Sequence, residues 1–91
     1  MPPTEGPGPG LRLALRGYAP DDVEPFLVRC AHSLGARVAE VPELAPLTGR
    51  PRTGTPLLAR DVRDVQFRIV LRGYALAEID ALLDRIESRL P

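Results

Sequence analysis

One 24-residue segment occurs twice in the chain, and this duplication limits the possible folds more than any other feature. Residues 11–34 read LRLALRGYAPDDVEPFLVRCAHSL and residues 67–90 read FRIVLRGYALAEIDALLDRIESRL, aligned without a gap at an offset of 56. Nine of the 24 positions are identical: Arg12/Arg68, Leu15/Leu71, Arg16/Arg72, Gly17/Gly73, Tyr18/Tyr74, Ala19/Ala75, Leu27/Leu83, Arg29/Arg85 and Leu34/Leu90. Ordinary composition gives roughly two by chance. Other pairs exchange like for like, among them Leu13/Ile69, Asp22/Glu78, Val23/Ile79, Glu24/Asp80 and Phe26/Leu82.

Each copy reads as a strand, a turn and a helix. Leu11, Leu13 and Leu15 alternate with Arg12, Ala14 and Arg16, as Phe67, Ile69 and Leu71 do with Arg68, Val70 and Arg72. That period of two predicts a half-buried extended segment with arginine towards solvent. Gly17 and Gly73 supply a turn, where glycine admits positive φ, and Tyr18 and Tyr74 follow with an apolar ring and a polar tip. Val23, Phe26, Leu27, Cys30 and Leu34 form one helical stripe; Ile79, Leu82, Leu83, Ile86 and Leu90 form the other. Asp21, Asp22 and Glu24, like Glu78 and Asp80, suit a helix N-terminus. Pro20 fits the first helical position, Gly35 fits the stop, and Pro25 predicts a first helix that is bent or starts late.

The rest of the chain divides accordingly. Eleven Pro and eight Gly concentrate in residues 1–10 and 42–56, predicting a disordered tail and a Pro/Gly-rich linker with turns. Residues 11–41 make a first unit, with ARVAEV as a short strand after its helix, and residues 57–91 make a second. A short helix carrying Leu58, Val62 and Val65 on one face opens the second unit, with Thr55-Pro56 as its cap. The expected class is therefore α+β and helix-rich: two strand–turn–helix repeats, a short extra helix before the second, and strands paired in a small sheet. Roughly 70 residues are left to order, about where one core becomes marginal. The fold then needs pairing between its halves or with a second chain.

Composition narrows the chemistry. Twelve acids balance twelve bases, all of them arginine, which removes the electrostatic case for nucleic acid. A single Cys cannot form an internal disulfide, and Cys30 reads as a small core residue. His32 has no partners at metal spacing, Asp80 and Asp84 read as solvated charges, and the Gly-rich tail lacks a phosphate-loop pattern. A non-catalytic protein without cofactor or metal is expected. MPPTEGPGPG does not read as a signal peptide, and no apolar stretch approaches ~18 residues, so the expected location is cytoplasmic.

The second half, LLARDVRDVQFRIVLRGYALAEIDALLDRIESRL, resembles the DivIVA domain of bacterial cell-division and polar-growth proteins. That family opens with a helix of the type Leu-Thr-x-x-Asp-Val-x-x-x-x-Phe, continues through apolar-Arg-Gly-Tyr, and enters a helix beginning x-x-x-Glu-Val-Asp-x-Phe-Leu. Leu57, Asp61, Val62, Phe67, Leu71, Arg72, Gly73, Tyr74, Glu78, Ile79, Asp80, Leu82 and Leu83 fall in that register. Residues 11–34 look like a second, degenerate copy without the opening helix, similar to tandem units in actinobacterial proteins. The resemblance implies a membrane-associated scaffold at septum or pole. In that family an apolar residue dips into lipid and the adjacent arginine meets anionic headgroups. By position those roles fall on Leu71 and Arg72, and on Leu15 and Arg16.

Three features depart from the family. Leu58 stands where it has a capping Thr, Ala19 and Ala75 replace its acidic cap, and Pro91 follows the second helix where the family continues into a coiled coil. The expectation is thus an adaptor that docks onto a larger division or polar-growth scaffold, self-associates, and touches the inner face of the membrane peripherally. From the residues alone, Leu71-Arg72 has a second reading: the end of a strand with a buried Leu and a solvated Arg, favoured by the alternation. The alternative fold and function is a βαββα binding domain like ribosomal small-subunit protein ten, contacting RNA or protein.

Overall fold

The computed structural model describes residues 11–91, and the tail expected at 1–10 lies outside the described residues. The elements in chain order are β1 (Leu13–Ala14), β2 (Gly17–Tyr18), α1 (Pro20–Leu34), two 3-10 helices (Gly35–Glu40 and Pro42–Gly49), α2 (Ala59–Asp64), β3 (Ile69–Val70), β4 (Gly73–Ala75) and α3 (Leu76–Glu87). The class is mixed α+β with one small antiparallel sheet, as the repeat predicts.

The sheet order is β1-β4-β2-β3, so each half's strands straddle a strand of the other. β1 and β2 flank β4, while β3 and β4 flank β2. The register obeys the 56-residue offset. Leu13 opposite Tyr74 is the counterpart of Ile69 opposite Tyr18, Ala14–Gly73 is the counterpart of Val70–Gly17, and Tyr18–Tyr74 maps onto itself. Two backbone bonds repeat the relation: Ala19 N–H donates to the Arg68 carbonyl at 2.8 Å, and Ala75 N–H to the Arg12 carbonyl at 3.2 Å. The two copies are therefore interlocked about a pseudo-two-fold axis within one chain.

Glycine is required where the strands cross. A Cβ on Gly17 would sit 2.3 Å from the Tyr74 carbonyl oxygen and 2.6 Å from the Gly73 carbonyl carbon. A Cβ on Gly73 would meet the Tyr18 oxygen and the Gly17 carbonyl carbon at the same two distances. Among the described residues only Gly35 and Gly54 have positive φ. The positive-φ turn expected at Gly17 and Gly73 is thus replaced by a close approach of two backbones.

Below the sheet, Val23, Leu27, Cys30 and Leu34 of α1 and Ile79, Leu82 and Ile86 of α3 are buried, together with Tyr74. Both stripes face the core as their spacing requires. Burial of Cys30 pushes its thiol up to about 12, in keeping with a core role. α1 starts at Pro20 and runs through Pro25 without a late start. Pro25 lacks only the donor that would reach the Asp21 carbonyl in the first turn. Gly35, at φ +58°, ends it.

Three local expectations fail. ARVAEV is 3-10 helical rather than a strand, which also removes a strand from the βαββα alternative. Pro42–Gly49, read as part of a linker, is a second 3-10 helix burying Leu44 and Leu47 against α1. Its apolar residues are too few for a periodic signal, yet α1 offers them a surface. α2 begins at Ala59, beyond Thr55-Pro56; the Asp61 carboxylate takes the Leu58 N–H at 2.8 Å and caps the helix from inside.

Replacing Gly17 or Gly73 by Ala is expected to cost about 3 kcal/mol or more, because the clashing atoms are backbone. Gly49→Ala, whose Cβ meets nothing within 4 Å, serves as control. Urea midpoints should fall sharply for the first two variants and barely for the third; equal midpoints in all three would contradict the crossing.

Candidate functional site

The chain between β1 and β2, and between β3 and β4, has to pass over a strand of the opposite half. Leu15-Arg16 and Leu71-Arg72 occupy those passages, so they become tips rather than strand ends. Leu15 and Leu71 are each 80% exposed. The reading of Leu71 as a buried strand end is therefore wrong, and Leu15 is exposed in the same way. The alternation reaches the core only at its start: Leu11 is buried, Leu13 is 37% exposed, and Ile69 is 49% exposed. Leu13, Leu15, Ile69 and Leu71 consequently form two symmetry-related apolar sets on the outer strands and the tips.

Backbone contact between Gly17 and Gly73 brings the tips together. Each leucine lies two residues from its glycine, which bounds their Cα separation at roughly 20 Å. Arg16 and Arg72 are exposed, and among the described residues neither is within ion-pair distance of a carboxylate. Six of the other ten arginines stand in ion pairs, Arg50 with Glu24 among them. Arg12 pairs with Glu78, Arg63 with Glu87, Arg68 with Asp22, Arg85 with Glu43, and Arg89 with Glu40. The balanced net charge hides this local excess at the tips.

The tip bases are held by cross-half bonds that again follow the repeat. Tyr74 donates its hydroxyl to Glu24 at 2.6 Å, and Tyr18 donates to Asp80 at 2.9 Å. Asp22 takes both the backbone N–H and the guanidinium of Arg68 at 3.0 Å, and Glu78 takes the Arg12 N–H at 3.3 Å. The Arg68 bonds hold the Asp22 carboxyl below its ordinary range, and the bond to Asp80 raises the Tyr18 hydroxyl. Gly17, Tyr18, Gly73 and Tyr74 are thus the hinge of the site rather than its surface: Tyr74 is fully buried and both glycines are buried.

The sequence pattern did not reveal how the middle segment is fastened. Arg85 forks onto Glu43 at 2.7 and 2.9 Å, holding Glu43 below its usual range. Its repeat counterpart, Arg29, donates to the Thr55 carbonyl at 2.9 Å. His32 Nε2 donates to the Arg50 carbonyl at 2.8 Å, and Ser33 accepts the Leu57 N–H at 2.8 Å. The identity of Arg29 and Arg85 in the alignment was the available signal. Among the described residues no group of three His, Cys, Asp or Glu side chains could hold a metal ion, and no helix is long and apolar enough to cross a membrane. The chain matches no protein family, curated protein or solved structure in comparison with those known.

Because the Tyr74 bond to Glu24 is short, charge-assisted and shielded, Tyr74→Phe should lower stability by about 1.5–3 kcal/mol. The same change at half-exposed Tyr18 should cost about 1 kcal/mol or less. Chemical denaturation of the two variants checks the order; a larger loss at Tyr18 would contradict it.

Proposed function

We propose that the protein is a non-catalytic, DivIVA-domain-like adaptor of bacterial cell division or polar growth, binding a larger scaffold protein and touching the membrane surface peripherally. The observation that carries this reading is the pair of tips: two exposed leucines, each beside an arginine that has no carboxylate partner among the described residues. A single apolar tip gains little from lipid, and two on one rigid base add avidity. The exposed arginines contribute attraction to anionic headgroups that neutral lipid cannot supply. A second copy packed symmetrically tip to tip would set like charges against each other. The inner face of a septal or polar membrane fits the same chemistry.

Self-association, expected from the size of the core, is not needed to cover the helical stripes. The opposite half and the 42–49 segment bury them within one chain. The resemblance of residues 57–91 to the family supports a role beside a larger scaffold, and the structure adds the form in which the tips are presented.

Co-sedimentation with vesicles of phosphatidylglycerol and phosphatidylcholine tests the reading. Wild type should pellet with anionic vesicles and not with pure phosphatidylcholine. Leu15→Ser/Leu71→Ser and Arg16→Ala/Arg72→Ala should each weaken binding by about tenfold or more, roughly 1.4 kcal/mol. Equal binding by all three proteins would remove the tips from the account.

A further inference from the structure

A hydroxyl census singles out one residue outside the tips. Tyr18 and Tyr74 donate to carboxylates, Thr48 to the Ala45 carbonyl, and Ser88 to the Arg85 carbonyl, while Ser33 accepts the Leu57 N–H. Among the described residues, Thr53 and Thr55 remain. Thr55 is clamped: its carbonyl holds Arg29, and the preceding Gly54 packs against that guanidinium, where a Cβ would come within 2.8 Å of Nε. Thr53 has no hydrogen bond among the described residues and lies on the exposed stretch following the extended backbone of Arg50 (φ −81°, ψ 154°). Arginines stand three residues and one residue before it, in the sequence Arg50-Pro51-Arg52-Thr53.

We propose that Thr53 is a phosphorylation site for a serine/threonine protein kinase that reads arginine on the amino-terminal side of its target. In the transfer, Thr53 Oγ bonds to the γ-phosphorus of a nucleoside triphosphate and the bond from that phosphorus to the leaving diphosphate oxygen breaks. The hydroxyl proton passes to the carboxylate base of the kinase and on to solvent. An exposed threonine outside helix and strand, with no hydrogen bond among the described residues, can enter a kinase cleft without unfolding the core, and Arg50 and Arg52 offer cations to its acidic subsites.

The structure also assigns a consequence. Thr53 lines a cleft of about 310 Å³ together with Asp21, Glu24 and Arg50. Arg50 reaches Glu24 at 3.8 Å, too long for a strong charge-assisted bond. A phosphate carries about −1.5 to −2 charges and three strong acceptors, so it outcompetes Glu24 for Arg50. Glu24, which takes the Tyr74 hydroxyl at 2.6 Å, then loses a cation and gains an anionic neighbour. Phosphorylation thereby sets an uncompensated anion beside Glu24, and the like-charge repulsion lowers the stability of the folded chain.

The test treats the full chain with ATP and an arginine-directed kinase, such as the catalytic subunit of the cyclic-AMP-dependent enzyme, and maps phosphate by mass spectrometry. One phosphate on Thr53 is expected, absent in Thr53→Ala and incorporated about tenfold more slowly in both Arg50→Ala and Arg52→Ala, the weight of one charged contact. Phosphate on Thr48 or Thr55 instead, or none on the folded protein, overturns the site. The phosphoprotein should melt below the unmodified chain by several degrees; an unchanged Tm overturns the displacement of Arg50.

Discussion

The close approach of Gly17 to Gly73 is the constraint on which the rest of the structure depends. With only hydrogen at both Cα atoms, the two backbones come near enough for Tyr18 and Tyr74 to pair on the axis. The two central strands, β4 and β2, are then each flanked on both sides by the other half, and every pairing in the sheet joins one copy to the other. Strands of two or three residues are too short to be stable by themselves. Interlocking makes one four-stranded sheet from pieces that separately would not persist.

Exposure of the tips follows from this crossing. A chain that must pass over a foreign strand cannot also fold back on its own core, so Leu15 and Leu71 project although their sequence pattern is that of buried residues. The same geometry places Arg16 and Arg72 beyond reach of the acids that neutralise Arg12 and Arg68 nearby. An apolar residue and an unneutralised cation thus appear twice on one rigid base. The tyrosine–carboxylate bonds and the arginine–carboxylate bonds beside them tie each base to the opposite half, so both tips depend on both copies.

Much of this was legible in the residues. The duplication, both amphipathic stripes, the Gly35 stop and the α+β class are local or periodic properties, and a 24-residue alignment exposes them. The two-fold relation was implicit in the same alignment, but pairing within a copy and pairing between copies leave the same alternation. The reason for glycine at 17 and 73 was hidden too, since a turn and a close approach select the same residue. Leu44 and Leu47 were missed because two leucines among prolines carry no period; their burial depends on the surface that α1 presents. The Thr55-Pro56 cap was misplaced because Asp61 does the work from within the helix.

The claim that both copies interlock within one chain is tested most directly by nuclear Overhauser contacts between the copies. In a uniformly labelled sample, the account predicts cross-peaks from Gly17 Hα to Gly73 Hα, and from Leu13 to Tyr74 and Tyr18 to Ile69. In an isotope-filtered mixture of labelled and unlabelled protein the same cross-peaks should vanish. Their persistence in the mixture would show that the crossing joins two molecules. Their absence from both samples would show that it does not form.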